Sequence, residues 1–233
     1  FYLENNMKVL IAVSSPKPEV TAFFSQSLAE TYALGAKENI EFKFYWSPEI
    51  LMAKNEAVGV LEDHNFDSVV FIKPHIEWNA SDLIGIIKRD NLVEGIPTRH
   101  FYHPQRPYKA VLNEPKEDAP VTARIMDLDF IHIKKEVFEM IKNQVLNVSN
   151  IDEEGTIQQI PLYFYVTSDS SGVKTEDVNF CEILEKLEIP IHVNTNMKVY
   201  EHIWSPNKTD IGEEIKQRMI AKGMKEAEEA EQI

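Results

Sequence analysis

Three apolar runs separated by two amphipathic stretches fill the first 78 residues, and nothing else in this chain limits its fold so tightly. Residues 8–13 (KVLIAV) and 68–72 (SVVFI) are apolar without alternation. A strand that is apolar on both faces has to be covered on both faces, which is the condition of a parallel sheet with helices on either side. Residues 40–46 alternate through Ile40, Phe42, Phe44 and Trp46, as a strand does. Between these runs, Val20, Phe23, Phe24, Leu28 and Tyr32 recur at helical spacing, with Gly35 as a stop signal. A second helix is expected from the Ser47-Pro48-Glu49 cap to about His64, burying Ile50, Leu51, Ala57, Val58 and Leu61. This βαβαβ order predicts crossover units and a mostly parallel sheet.

Further along, Asn79 to Asp82 opens a helix that runs to Lys88, and residues 92–97 read as a strand. Residues 98–120, rich in Pro and polar groups, read as a long loop or hairpin insert. Residues 124–133 alternate and are expected to be one strand, followed by a helix over 134–144. A loop over 150–156, a strand over 162–166 and a loop over 168–172 lead to a helix over 176–187 and a strand over 190–193. Residues 209–233 form a charged segment with Ile211, Ile215, Met219 and Ile220 on one side of a helix. The expectation is one α/β domain over 7–207 and a C-terminal helix over 208–233.

Composition removes several function classes. A net charge of −14 argues against binding nucleic acid chiefly through phosphates. One stretch departs from that balance: Arg99, His100, His103, Arg106 and Lys109 crowd into eleven residues, a candidate rim for a phosphate or an anionic acceptor. With a single cysteine, Cys181, no internal disulfide and no cysteine-based zinc site can form, which suits a reducing cytoplasm. No apolar run approaches the ~18 residues of a membrane span. Only 8 glycines occur, and neither GxxxxGK[ST] nor GxGxxG is present, so a glycine-rich phosphate cradle is not expected. A G-x-S-x-G hydrolase elbow is absent as well.

In an open α/β sheet, ligands bind beyond the carboxyl ends of the strands. Three such ends are polar here: Ser14-Ser15-Pro16, then Lys73-Pro74-His75, then the loop into Glu176-Asp177. Thr175 stands at the expected N-cap of the late helix, and two acids in a first turn suit the helix dipole.

The order strand-Ser-Ser-Pro, Ala53-Lys54-Asn55, FIKPHIEW, TEDVNFC and Tyr200-Glu201-His202 resembles the GT-A type of nucleotide-sugar glycosyltransferase, from about Lys8 to His202. The resemblance implies a single Rossmann-like α/β domain. It places Ser14, Ser15 and Pro16 at the nucleobase, and Lys54 and Asn55 at the phosphate or sugar. Asp177, with Glu176 as runner-up, becomes the general base or acceptor ligand. His202 becomes a phosphate or metal contact, and Asp127 and Asp129 contacts to sugar hydroxyls. The donor would be a nucleotide sugar, a UDP-sugar first. The acceptor would be a hydroxyl on a saccharide, a protein or modified DNA. Small members of this type occur in bacteria and their viruses.

At the metal-binding Asp-x-Asp of that family this chain has Lys73-Pro74-His75. Mg²⁺ or Mn²⁺ wants carboxylate oxygens, which a lysine does not supply. Three readings follow. Lys73, with Arg99 or Arg106, takes over neutralisation of the diphosphate. Alternatively His75, Glu77 and His202 hold a metal in altered geometry; Glu77 lies two residues beyond His75 and so on the same side of an extended segment. In the third, the domain binds without catalysing.

Overall fold

The computed structural model describes residues 6–49, 52–98, 110–114, 119–151, 156–170, 172–197 and 199–202. It opens with the expected βαβαβ unit: β1 (Met7–Ser14), α1 (Ala22–Lys37), β2 (Ile40–Ser47), α2 (Ala53–Asp63) and β3 (Ser68–Ile72). Strand β1 pairs in parallel with β2 on one side and β3 on the other. Thr21 caps α1, its hydroxyl accepting from the Phe24 N–H at 3.1 Å; a cap of this kind contributes about 1 kcal/mol. Helix α2 starts at Ala53, later than the Ser47-Pro48-Glu49 pattern suggests. The Ser47 hydroxyl is used otherwise, donating to Glu56 at 2.7 Å and accepting from the Glu49 N–H at 3.2 Å.

Next come β4 (Ile76–Trp78), α3 (Ala80–Ile87), β5 (Val93–Gly95), β6 (Ala110–Leu112), β7 (Thr122–Met126), β8 (Phe130–Lys134) and α4 (Lys135–Ile141). The remaining elements are β9 (Leu146–Ile151), β10 (Ile157–Leu162), β11 (Thr167–Asp169), β12 (Gly172–Lys174), α5 (Glu176–Lys186), β13 (Ile191–Val193) and β14 (Val199–Glu201).

Eight strands form one sheet in the order β2-β1-β3-β8-β5-β13-β7-β6. Six of them run in one direction. Only β8 and β7 run against it, β8 between β3 and β5, and β7 between β13 and β6. The chain is therefore a mixed α/β fold with a mostly parallel sheet, as its pattern predicts. Leu10, Val69, Phe71, Ile131 and Ile133 face α2, α4 and α5. Val9, Ile11, Val70, Ile72 and Phe130 face α1 and α3. Both faces being covered is what the unbroken apolar runs required; each large side chain buried this way contributes roughly 1.5–3 kcal/mol. Gly95 lets β5 lie close to β8, since a Cβ there would meet the Phe130 carbonyl oxygen at 2.5 Å.

Several expectations are corrected. Residues 124–133 are not one strand. Asp127-Leu128-Asp129 breaks them into β7 and β8, which lie apart in the sheet. The strand expected over 162–166 ends at Leu162, as β10 of a separate hairpin with β9. The loop over 168–172 contributes to a two-stranded ribbon, β11 with β12. Short alternating runs do not show which partner they pair with, and partner choice decides these cases. The 208–233 segment lies outside the described residues. Among the described residues no helix is long and apolar enough to cross a membrane.

Candidate active site

The carboxyl ends of β1 and β3, the turn before β8, and the starts of α2 and α5 surround one cavity of about 460 Å³. Ser14, Pro16, Lys54, Lys73, Asp129, Glu176 and Asp177 line it, with Ala12, Phe71, Leu128 and Val166 as its apolar part. Ser15 is turned away into the bend: its N–H bonds the Ser47 carbonyl at 3.1 Å, and its hydroxyl accepts from the Lys17 N–H at 3.4 Å.

Lys54 and Glu176 form an ion pair that joins α2 to α5. Burial alone would lower the lysine's proton affinity. The carboxylates of Glu176, Asp177 and Asp129 outweigh it, so the Lys54 pKa lies above its ordinary value. Asn55, the next residue, braces the chain after β10. Its amide donates to the Phe164 carbonyl at 2.7 Å and accepts from the Phe164 N–H at 3.0 Å.

Asp177 is the unusual group. Its Oδ1 is buried and has no hydrogen-bond partner among the described residues. Burial pushes its pKa up to about 6, and the negative charges of Asp129 and Glu176 push the same way against the cations of Lys54 and Lys73. Sequence reasoning placed Asp177 at a helix N-terminus, where N–H dipoles favour the ionised form. Desolvation wins instead. Thr175 occupies the N-cap position in extended conformation, but its side chain makes no capping bond.

On the other wall, Lys73 pairs with Asp129, and its N–H donates to the Asp129 carbonyl at 2.9 Å. Asp127 and Asp129 are both buried. Thr98 holds them together: its N–H donates to Asp127 Oδ1 at 3.0 Å, and its hydroxyl contacts Asp127 Oδ2 and lies 3.0 Å from Asp129 Oδ2. Thr98 was missed at the sequence level, because it stood at the edge of what read as a long loop. An Asp-x-Asp spacing also stands at residues 127–129, in the turn before β8 rather than after β3. Antiparallel pairing of β8 with β3 brings that pair to Lys73.

His75, Glu77 and His202 lie on a different ribbon, β4 with β14. His75 Nε2 is 3.2 Å from Glu201, and His202 Nε2 is 2.6 Å from Glu77. The His202 ring stacks on Phe23 with centroids 4.1 Å apart. Each imidazole thus has a carboxylate of its own. Among the described residues no three His, Cys, Asp or Glu side chains group so as to hold a metal ion. Trp78 is buried, and its indole N–H donates to Thr31 at 2.9 Å, so it is not free to stack on a sugar. Cys181 lies on the buried face of α5, and burial pushes its thiol up to about 12, which leaves it almost entirely protonated near neutral pH. Arg99 and Arg106 lie outside the described residues.

No family model matches this chain, and no curated protein does. Among solved structures, A197 from STIV is similar over 84% of this chain and 86% of its own, at 18% identity and a TM-score of 0.49. The inositol-1-phosphate CTP transferase from T. maritima is similar over 92% of this chain and 94% of its own, at 10% identity and a TM-score of 0.45. A glycosyltransferase involved in glycosylation of the major capsid of PBCV-1 is similar over 59% of this chain and 64% of its own, at 8% identity and a TM-score of 0.33.

Proposed function

We propose that this crevice binds a nucleotide-diphosphate sugar and transfers the sugar to an acceptor hydroxyl. The observation that carries the reading is the meeting of two lysines, Lys54 and Lys73, with an acid of raised pKa, Asp177, around one cavity. A carboxylate with a pKa of about 6 is ionised near neutral pH, yet is more basic than an ordinary aspartate.

In this reading Asp177 takes the acceptor proton as the acceptor oxygen bonds to the anomeric carbon. The bond from that carbon to the diphosphate oxygen breaks, and its electrons leave with the nucleoside diphosphate. Negative charge growing on that oxygen is met by the Lys73 and Lys54 ammonium groups, which exchange Asp129 and Glu176 for phosphate. Ser14 and Pro16 sit at the base end, and Asp129 at the sugar. Thr98 and Asp127 hold Asp129 in place. No step is assigned to a metal.

Calorimetric titration with a panel of nucleoside diphosphates and their sugars, in EDTA and in Mn²⁺, tests this. Binding that survives EDTA and weakens in Lys73→Ala is the expected result, and the best ligand names the base. No nucleotide binding under either condition would sink the reading.

A further inference from the structure

His75 and His202 gather no metal site among the described residues, and their carboxylate pairs hold something else in place. Lys73 stands just past the end of β3, on a turn over residues 73–76 that is fastened from three sides. From the turn before β8, the Asp129 carbonyl accepts the Lys73 N–H at 2.9 Å. From the cap of α1, the Thr21 N–H donates to the Pro74 carbonyl at 3.0 Å. From the end of β14, the His202 N–H donates to the His75 carbonyl at 3.0 Å, and β14 pairs with β4 immediately beyond. The turn also closes on itself, the Ile76 N–H donating to the Lys73 carbonyl at 3.2 Å.

Side chains cross the seam with β14 twice. His75 Nε2 lies 3.2 Å from Glu201, and His202 Nε2 lies 2.6 Å from Glu77, so each side gives one imidazole and one carboxylate. The two pairs are unequal. Glu77 and His202 keep some contact with water, whereas the Glu201 side chain is only 3% exposed. A carboxylate taken that far out of water needs a partner fixed beside it, because an uncompensated buried charge is strongly destabilising. Glu201 therefore pins His75, and His75 is two residues from Lys73.

No residue of β4 or β14 lines the cavity, yet Lys73, which does, hangs from their ribbon. Lysine is a point charge on a flexible stem, so the place of its Cα limits where the ammonium can reach.

We infer that Glu201 is a positioning residue for the donor diphosphate: through His75 it holds the 73–76 turn where Lys73 can meet phosphate. The inference rests on the donor reading above and deepens it, by naming a residue outside the cavity on which the lysine contact depends. A pair that merely kept β14 on the fold would affect every ligand alike, or none.

The experiment measures affinity for the nucleoside diphosphate that binds tightest and for the matching nucleoside, which lacks the phosphates. Calorimetry in EDTA compares wild type, Glu201→Ala, Glu201→Gln, Lys73→Ala and the Glu201→Ala/Lys73→Ala double variant. Glu201→Ala is expected to weaken the diphosphate about 5–10-fold, part of what losing a charge-assisted contact outright would do, and to leave the nucleoside unchanged. Glu201→Gln can still hydrogen-bond the imidazole and is expected to restore most of the diphosphate affinity. In the Lys73→Ala background, Glu201→Ala should have no further effect, since two changes acting through one contact are not additive. If Glu201→Ala does not fold, Glu201→Met is read in its place, because an apolar side chain of similar volume is tolerated better than a gap at a buried ion pair. Equal losses for diphosphate and nucleoside, additive losses in the double variant, or a wild-type diphosphate affinity without the Glu201 carboxylate would each overturn the inference and leave the donor reading standing. Wild type that binds the diphosphate no tighter than the nucleoside, or binds neither, would overturn both.

Discussion

Lys73 and Asp129, 56 positions apart, are joined twice: ammonium to carboxylate, and backbone N–H to carbonyl at 2.9 Å. The contact fastens the end of β3 to the turn before β8. It also holds a cation at the wall of the cavity. If phosphate takes over that cation, Lys73→Ala is expected to weaken nucleoside diphosphate binding about 10–100-fold, the loss of one charge-assisted contact. Calorimetry in EDTA reads this directly. An unchanged Kd would remove Lys73 from the donor site.

Asp177 predicts two pH effects. As a base it must be ionised, so kcat/KM should rise with pH and level off above about 6. Stability should move the opposite way. The folded state holds the Asp177 proton more tightly than the unfolded chain, whose ordinary value is 3.8. Its contribution is full below about 4 and is lost as pH rises through about 6. Asp177→Asn should abolish the rising limb and lower kcat by roughly 10²–10⁴. It should also stabilise the fold at pH 7.5 by something on the order of 2 kcal/mol. Urea unfolding at pH 5 and pH 7.5 checks the second effect; a destabilised Asn variant at pH 7.5 would contradict it.

His132 runs the other way. It is buried in β8 between Val70 and Glu94, and neither ring nitrogen has a partner among the described residues. Burial, helped by the Lys134 charge, lowers its pKa from 6.5 to about 3. Below pH 6.5 the unfolded chain binds a proton that the folded protein refuses, so stability falls progressively from about 6.5 toward 3. His132→Leu removes that proton uptake. Its unfolding free energy should therefore vary less than wild type between pH 7 and pH 4. Equal slopes in guanidinium titrations across that range would show that His132 is not the acid-sensitive group.

Asn55→Ala is expected to destabilise by about 1–3 kcal/mol, because both backbone groups of buried Phe164 would lose their partner. Thermal unfolding measures it. A change in nucleotide affinity without a change in stability would instead put Asn55 in the donor site, as the resemblance implies.

The alternation of apolar runs and helical stripes determined that this chain forms a covered, mostly parallel sheet, because a strand apolar on both faces has few other places to go. It also determined that polar groups collect at the ends of β1 and β3 and at the start of α5, where Ser14, Lys73, Glu176 and Asp177 now line one cavity. Tertiary structure decided the rest. Asp129 became the partner of Lys73 only because β8 inserts antiparallel between β3 and β5, a choice of neighbour that no local pattern encodes. Asn55 was drawn to the Phe164 backbone for the same reason: the two are 109 residues apart and meet only once α2 packs on the sheet. The protonation of Asp177 depends on how deeply its carboxyl is buried and which charges surround it, and those are properties of the folded interior rather than of helix position.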